Sequence, residues 1–129
     1  MNDELKQYIE RWYIKAEHDL ITARTMLEHN PLVLDVVCFH CQQAVEKYLK
    51  AFLASHEKEI IKTHNLNFLQ AQCVEIDNDF SDFDFKQLGE FAVDVRYPDD
   101  FLMPELTEAK EYLLIAEEVE RMVKRKIVF

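Results

Sequence analysis

The chain has 129 residues, a net charge of −10, 49 % apolar residues, one Gly and three Pro. That apolar content excludes a disordered chain, and the length suits one domain with a core. So few turn-formers disfavour an all-β fold, and the acidic balance excludes a broad basic surface for nucleic acid.

Asn2 or Asp3 can cap a first helix that runs to about His29. Its apolar residues Leu5, Ile9, Trp12, Ala16, Leu20, Ala23 and Leu27 recur at spacings of three and four. Asn30-Pro31 ends it. A second helix is expected from about Leu34 to His56, followed by the charged loop EKEIIK. Asn65 or Thr63 starts a short third helix through Leu66, Leu69 and Cys73. DNDFSDFD reads as a turn, and a fourth helix is expected over about 83–96 through Leu88, Phe91, Ala92 and Val95. Tyr97-Pro98-Asp99-Asp100 breaks it. Pro104 suits the first turn of a last helix that extends to about 126. The expectation is an all-α fold: an antiparallel four-helix up-and-down bundle with an additional short helix, forming one domain over residues 1–129.

No apolar run approaches the ~20 residues of a membrane span. MNDELKQYIE is charged and unlike a signal peptide, so a cytoplasmic setting is expected. Three cysteines, an odd number, suit reduced thiols. Residues 75–100 hold nine acidic and two basic side chains, Lys86 and Arg96. A basic partner surface would match that segment.

The stretch CFHCQQAVEKYLKAF, residues 38–52, places Cys-x-x-Cys around a histidine. At 100° per residue with His40 at zero, Val37, Cys38, Cys41, Ala44, Val45, Tyr48, Leu49 and Phe52 fall between about 40° and 180°. Both cysteines therefore lie on the core face, where a free thiol behaves as a small hydrophobe. His40 sits off that face, so a four-ligand zinc site does not assemble there. Gln43, Lys47, Lys50 and His40 form one polar stripe beside the core arc, either a solvated edge or the lining of a groove. Lys47 and Lys50 read by default as helix-surface residues, with Glu46 spaced to pair with Lys50. Phe39 lies outside the arc and suits a partner surface.

The blocks Trp12–Ala23 (W-x3-A-x2-D-L-x2-A), Cys38–Ala51 (C-F-H-x-Q-Q-A-V-E-K-Y-L-K-A), Thr63–Leu66 (T-H-x-L) and Arg96–Asp99 (R-Y-P-D) resemble the HEPN domain family. The resemblance spans nearly the whole chain. It implies a helical bundle, frequent dimerisation, and a cleft near the second helix and the R-Y-P turn. It further implies nucleotide binding, RNA cleavage, or partnership with a small nucleotidyltransferase in toxin–antitoxin pairs. The candidate ligand-binding residues are His40, Gln43, Lys47, His64, Arg96 and Tyr97; no catalytic residue, metal or cofactor is expected. In that cleft cations would offset ligand phosphates and the aromatic would cover a base. Arg96 would grip a phosphate or meet a helix end. His64 would cap the third helix or face the cleft, and Asp99 and Asp100 would repel phosphate unless offset.

The resemblance implies that the family's ribonuclease branch depends on Arg-x(4–6)-His near the start of the last helix, where Arg can hold the scissile phosphate while His moves a proton. Here Arg96 is followed by YPDDFLM, without His. Arg24/His29 and Arg11/His18 match only formally. Both pairs lie in the first helix, and the former diverges by about 140°. A metal-independent RNase is thus the alternative to a binding module.

Overall fold

The computed structural model describes residues 1–29, 32–92 and 103–129. Among them are four α-helices and no strand: α1 (Asp3–His29), α2 (Leu34–Ser55), α3 (Leu66–Ile76) and α4 (Leu106–Lys126). They form an antiparallel bundle in which α2 packs against α1, α3 and α4, while α1 also touches α4. None of these helices is long and apolar enough to cross a membrane.

The helix starts follow local chemistry. Asn2 accepts from the Leu5 N–H at 2.8 Å and so caps α1. Asn65 accepts from the Phe68 N–H at 3.1 Å, and Thr63 accepts from the Asn65 N–H at 3.1 Å. Asn65 is therefore the cap of α3 and Thr63 its support. Glu105 and Glu108 close a capping box at the start of α4. Pro104 stands just ahead of that cap rather than in the first turn.

The end of α2 is a Schellman motif. The Lys58 N–H reaches the Leu53 carbonyl at 3.1 Å and the Glu57 N–H reaches that of Ala54 at 2.9 Å. Glu57 takes a left-handed φ of 56°, a position where glycine is usual.

The expected helix over 83–96 does not form in its described part. Residues 83–87 are irregular, and Leu88–Phe91 is a single 3-10 turn. The Asp84 carboxylate accepts from the Lys86 N–H at 2.9 Å, and Lys86 adopts φ 50°. That left-handed residue cannot continue an α-helix. Leu88 and Phe91 are still buried, because a spacing of three satisfies a 3-10 turn as well as an α-helix. A second 3-10 turn, Asn78–Asp82, sends Phe80 into the core against Phe52 with ring centroids 4.4 Å apart. Gln70 Nε2 donates to the carbonyls of Phe80 and Phe83, both at 2.8 Å, which ties this segment to α3.

The core holds the apolar stripes read from the sequence, including Ile9, Leu20, Tyr48, Leu49, Phe52 and Val119. Each long helix also buries two alanines seven residues apart: Ala16 and Ala23, Ala44 and Ala51, Ala109 and Ala116. Small side chains there let the helix backbones approach closely.

Candidate functional site

The polar edge of α2 is organised by two buried carboxylates. The first, Asp19, comes from α1 and is only 7 % exposed. One of its oxygens meets His40 Nδ1 at 2.8 Å and the other accepts from Lys47 Nζ at 2.5 Å. The second is Glu46 of α2. It accepts from Lys50 Nζ at 2.9 Å, and His64 Nδ1 lies 2.8 Å from its other oxygen. An ionised carboxylate only accepts hydrogen bonds, so each histidine donates through Nδ1–H. Nε2 of neither ring has a hydrogen-bond partner among the described residues.

A second layer positions His64. Gln42 is fully buried and donates to the His64 carbonyl at 3.1 Å. Gln43 donates to the Gln42 side-chain oxygen at 2.7 Å. The backbone and the ring of His64 are thus both held from α2, while its side chain stays 63 % exposed. The ring stands at the rim of a cleft of about 510 Å³ that is also lined by Asn65, Asn67, Phe85, Lys86 and Gln87.

Four of the six sequence candidates, His40, Gln43, Lys47 and His64, fall on this network. Arg96 and Tyr97, with Asp99 and Asp100, lie outside the described residues. Lys50 is corrected: its side chain is 7 % exposed and it is not a surface residue. The i, i+4 partner Glu46 makes that burial feasible, and Trp12 covers the ammonium at 5.8 Å from the ring centroid. Lys47 and Lys50 are each matched by a carboxylate, so the polar stripe of the helical wheel is charge-compensated.

Sequence reasoning missed Asp19 and Gln42 as site residues. A signal existed for Asp19, which lies on the apolar stripe of the first helix between Ala16 and Leu20. A charged residue on a core face calls for a buried partner.

The formal Arg/His pairs are separated by their own contacts. Arg24 binds Glu117 at 2.9 Å and lies 3.9 Å from Glu120. His29 is exposed and sits beside Glu28. Arg11 stacks over Tyr8, and His18 faces solvent.

The three cysteines are buried and unpaired. Burial, reinforced by Glu108 and Asp35, pushes the Cys38 thiol up to about 12. Burial also raises Cys73 to about 12 and Cys41 further. Such thiols are inert packing groups. A separate polar seam joins α1, α2 and α4. Glu120 accepts from the Tyr48 hydroxyl at 2.7 Å and from Lys124 at 3.2 Å, and Lys124 also reaches Glu17 at 2.7 Å. Burial and the bond to Glu120 raise the Tyr48 phenol.

Among the described residues the fold is an all-α helical bundle. The HEPN domain model matches residues 9–126, and the chain belongs to the HEPN family. Among solved structures it is similar to an archaeal HEPN homologue, with a TM-score of 0.66 and 24 % identity over 93 % of this chain and 98 % of that one. That likeness concerns the fold. Comparison with curated proteins gives no match.

Proposed function

We propose that this HEPN domain protein is a cytoplasmic binding module rather than a nuclease. Its ligand is a nucleotide-like anion taken up beside His40, Gln43, Lys47 and His64, with Arg96 and Tyr97 completing the site. Its protein partners are a second copy of itself and a small nucleotidyltransferase of a toxin–antitoxin type system. The observation that carries the reading is the pair of buried carboxylates, Asp19 and Glu46, each fixing one histidine and one lysine. A buried ion pair adds little net stability compared with apolar packing. Two of them side by side, one joining α1 to α2 and one within α2, are better explained by what they position. The engagement of Arg24 with Glu117 also speaks against cleavage at the Arg24/His29 pair.

Thermal unfolding with a panel of nucleotides tests the ligand. A ligand at a hundred times its Kd adds about 2.7 kcal/mol, roughly 10 °C for a domain of this size. One nucleotide should raise Tm in the wild type and lose that effect in His64→Gln and Arg96→Gln, both still folded. A flat panel would sink the nucleotide reading. RNA cleavage without metal, lost in His18→Ala, would sink the binding-only reading.

A further inference from the structure

The five histidines of the chain differ in how their rings are held. His18 faces solvent, and His56 packs on Phe52 with centroids 4.8 Å apart. His29 turns its Nε2 toward Glu28 at 3.9 Å. Only His40 and His64 give Nδ1 to a carboxylate among the described residues. His40 is the more covered of the two, at 25 % side-chain exposure beside the Phe39 ring. His64 alone joins a fixed Nδ1 to an open ring, 63 % exposed at the rim of a cleft. What fixes it is built from the interior outward. Glu46, 5 % exposed, takes the His64 Nδ1–H at 2.8 Å and Lys50 at 2.9 Å on its other oxygen. The fully buried Gln42 holds the His64 carbonyl at 3.1 Å. Three interior side chains are thus committed to the pose of a ring that itself packs on nothing. A nucleophile, a carboxylate that orients it and a third group that orients the carboxylate are the parts of an activated side chain.

We infer that His64 Nε2 is a phosphoryl acceptor, a modification site that takes its phosphoryl group from a phosphoramidate donor. In the neutral ring Nδ1 carries the proton and Nε2 the lone pair. That lone pair attacks phosphorus and forms the new N–P bond. The N–P bond of the donor breaks, and its electron pair leaves with the departing amine. Nothing is oxidised or reduced. The ring becomes cationic as the bond forms, with Nδ1 still protonated, and the Glu46 carboxylate at 2.8 Å stabilises that charge. Asn65, Asn67 and Gln87 line the same cleft and offer amide N–H groups to phosphoryl oxygens, and Lys86 adds a cation against the one carboxylate there, Glu90. The inference rests on the α2 network of the proposed function, as a means of regulating it, because a phosphoryl group on Nε2 would fill the place of the anion. It does not require that the anion be a nucleotide.

The probe is potassium phosphoramidate, whose leaving amine is ammonia. It is applied to the native protein and to the same protein in urea, and the phosphorylated histidines are mapped in alkali, where the N–P bond survives. In the native protein His64 should be phosphorylated faster than His18, His29 and His56 by about tenfold or more, the least expected of a buried carboxylate facing a developing cation. In urea that advantage should vanish. Phosphorus NMR should place the group on Nε2, since Nδ1 is engaged by Glu46. Glu46→Gln keeps an acceptor for Nδ1–H and removes the charge, so the rate at His64 should fall by about tenfold or more while the rates at His18 and His29 stay put. If that variant does not fold, the native and urea rates of the wild type decide alone. A His64 no faster than the other exposed histidines, an equal rate in urea, or a phosphoryl group on Nδ1 overturns the inference. The two readings of the site fail separately. A nucleotide panel without a shift leaves fast phosphorylation of His64 standing, and a nucleotide shift with a slow His64 sinks the phosphoryl acceptor alone.

Discussion

Replacing Lys50 by methionine removes one half of the most deeply buried ion pair. The Lys50 and Glu46 side chains are 7 % and 5 % exposed and 2.9 Å apart. Breaking such a pair from one side costs about 3–5 kcal/mol, because a charge is left buried without its partner. Glu46 keeps His64 as a donor to its other oxygen, which places Lys50→Met near 3 kcal/mol, at the lower end of about 3–5. At about 2.1 cal/mol/K of unfolding entropy per residue, a chain of 129 residues loses about 11 °C in Tm for 3 kcal/mol. Glu46→Met should cost at least as much, since it strands the ammonium and releases the His64 ring. The double variant Glu46→Met/Lys50→Met should be less damaged than the sum of the singles by ~2 kcal/mol, because no uncompensated charge remains. Urea unfolding at pH 7 measures all three, with the m-value as a check that the unfolded reference has not changed. Singles within about 1 kcal/mol of the wild type, or a double no better than additive, would refute the account of a desolvated pair.

The native protein should leave all three cysteines unreactive toward a disulfide reagent at pH 8, and denaturant should release three thiols; fast reaction of even one native thiol would contradict their burial. Stability should fall in alkali. The thiols of Cys38 and Cys73 and the Tyr13 phenol all stand near 12, raised from 9.0 and 10.0 mainly by burial. Folding therefore favours their protonated forms. Their contribution is complete below about pH 9 and is lost as pH climbs toward about 12. A denaturation midpoint that does not move between about pH 9 and 11 would count against it. At the end of α2, Glu57→Gly should stabilise by about 0.5–1 kcal/mol by relieving the left-handed φ, less the entropy that glycine adds to the unfolded chain; a loss of stability in chemical denaturation would show that the Glu57 side chain matters more than its backbone.

The three long helices were legible because their apolar residues keep a helical period over many turns; Asn2 and Asn65 mark the starts of α1 and of the short α3 by local chemistry, whereas the Glu105 cap of α4 was not legible and Pro104 lies one step outside the first turn expected of it. The segment after α3 was not. Leu88, Phe91 and Ala92 carry helical spacing, but a turn at Asp84–Lys86 interrupts it, and such an Asx turn is a choice among local hydrogen bonds that the apolar pattern does not report. The candidate site divides in the same way. The stripe of His40, Gln43 and Lys47 follows from the helical wheel of one segment. Its neutralisation does not, since Asp19 lies 21 residues from His40 and 28 from Lys47. Lys50 shows the limit most clearly: its angle gives the direction of the side chain, while its burial depends on Trp12 from another helix.

The alanine pairs bear on how the bundle chooses its alignment. A small residue every seven positions on α1, α2 and α4 would by itself permit a slide of two turns, although bulky core groups such as Tyr48, Phe52 and Tyr112 have no such repeat. Leucine, valine and alanine alone would distinguish weakly between the native alignment and a shifted one. The bonds from Tyr48 to Glu120, from Arg24 to Glu117 and from Asp19 to Lys47 have no such repeat. Each is satisfied in one vertical setting of its two helices and parted in the others. The polar contacts therefore add to the alignment that the bulky apolar groups specify: apolar burial brings the helices together, and a handful of charged and hydroxyl groups narrows the height at which they stop.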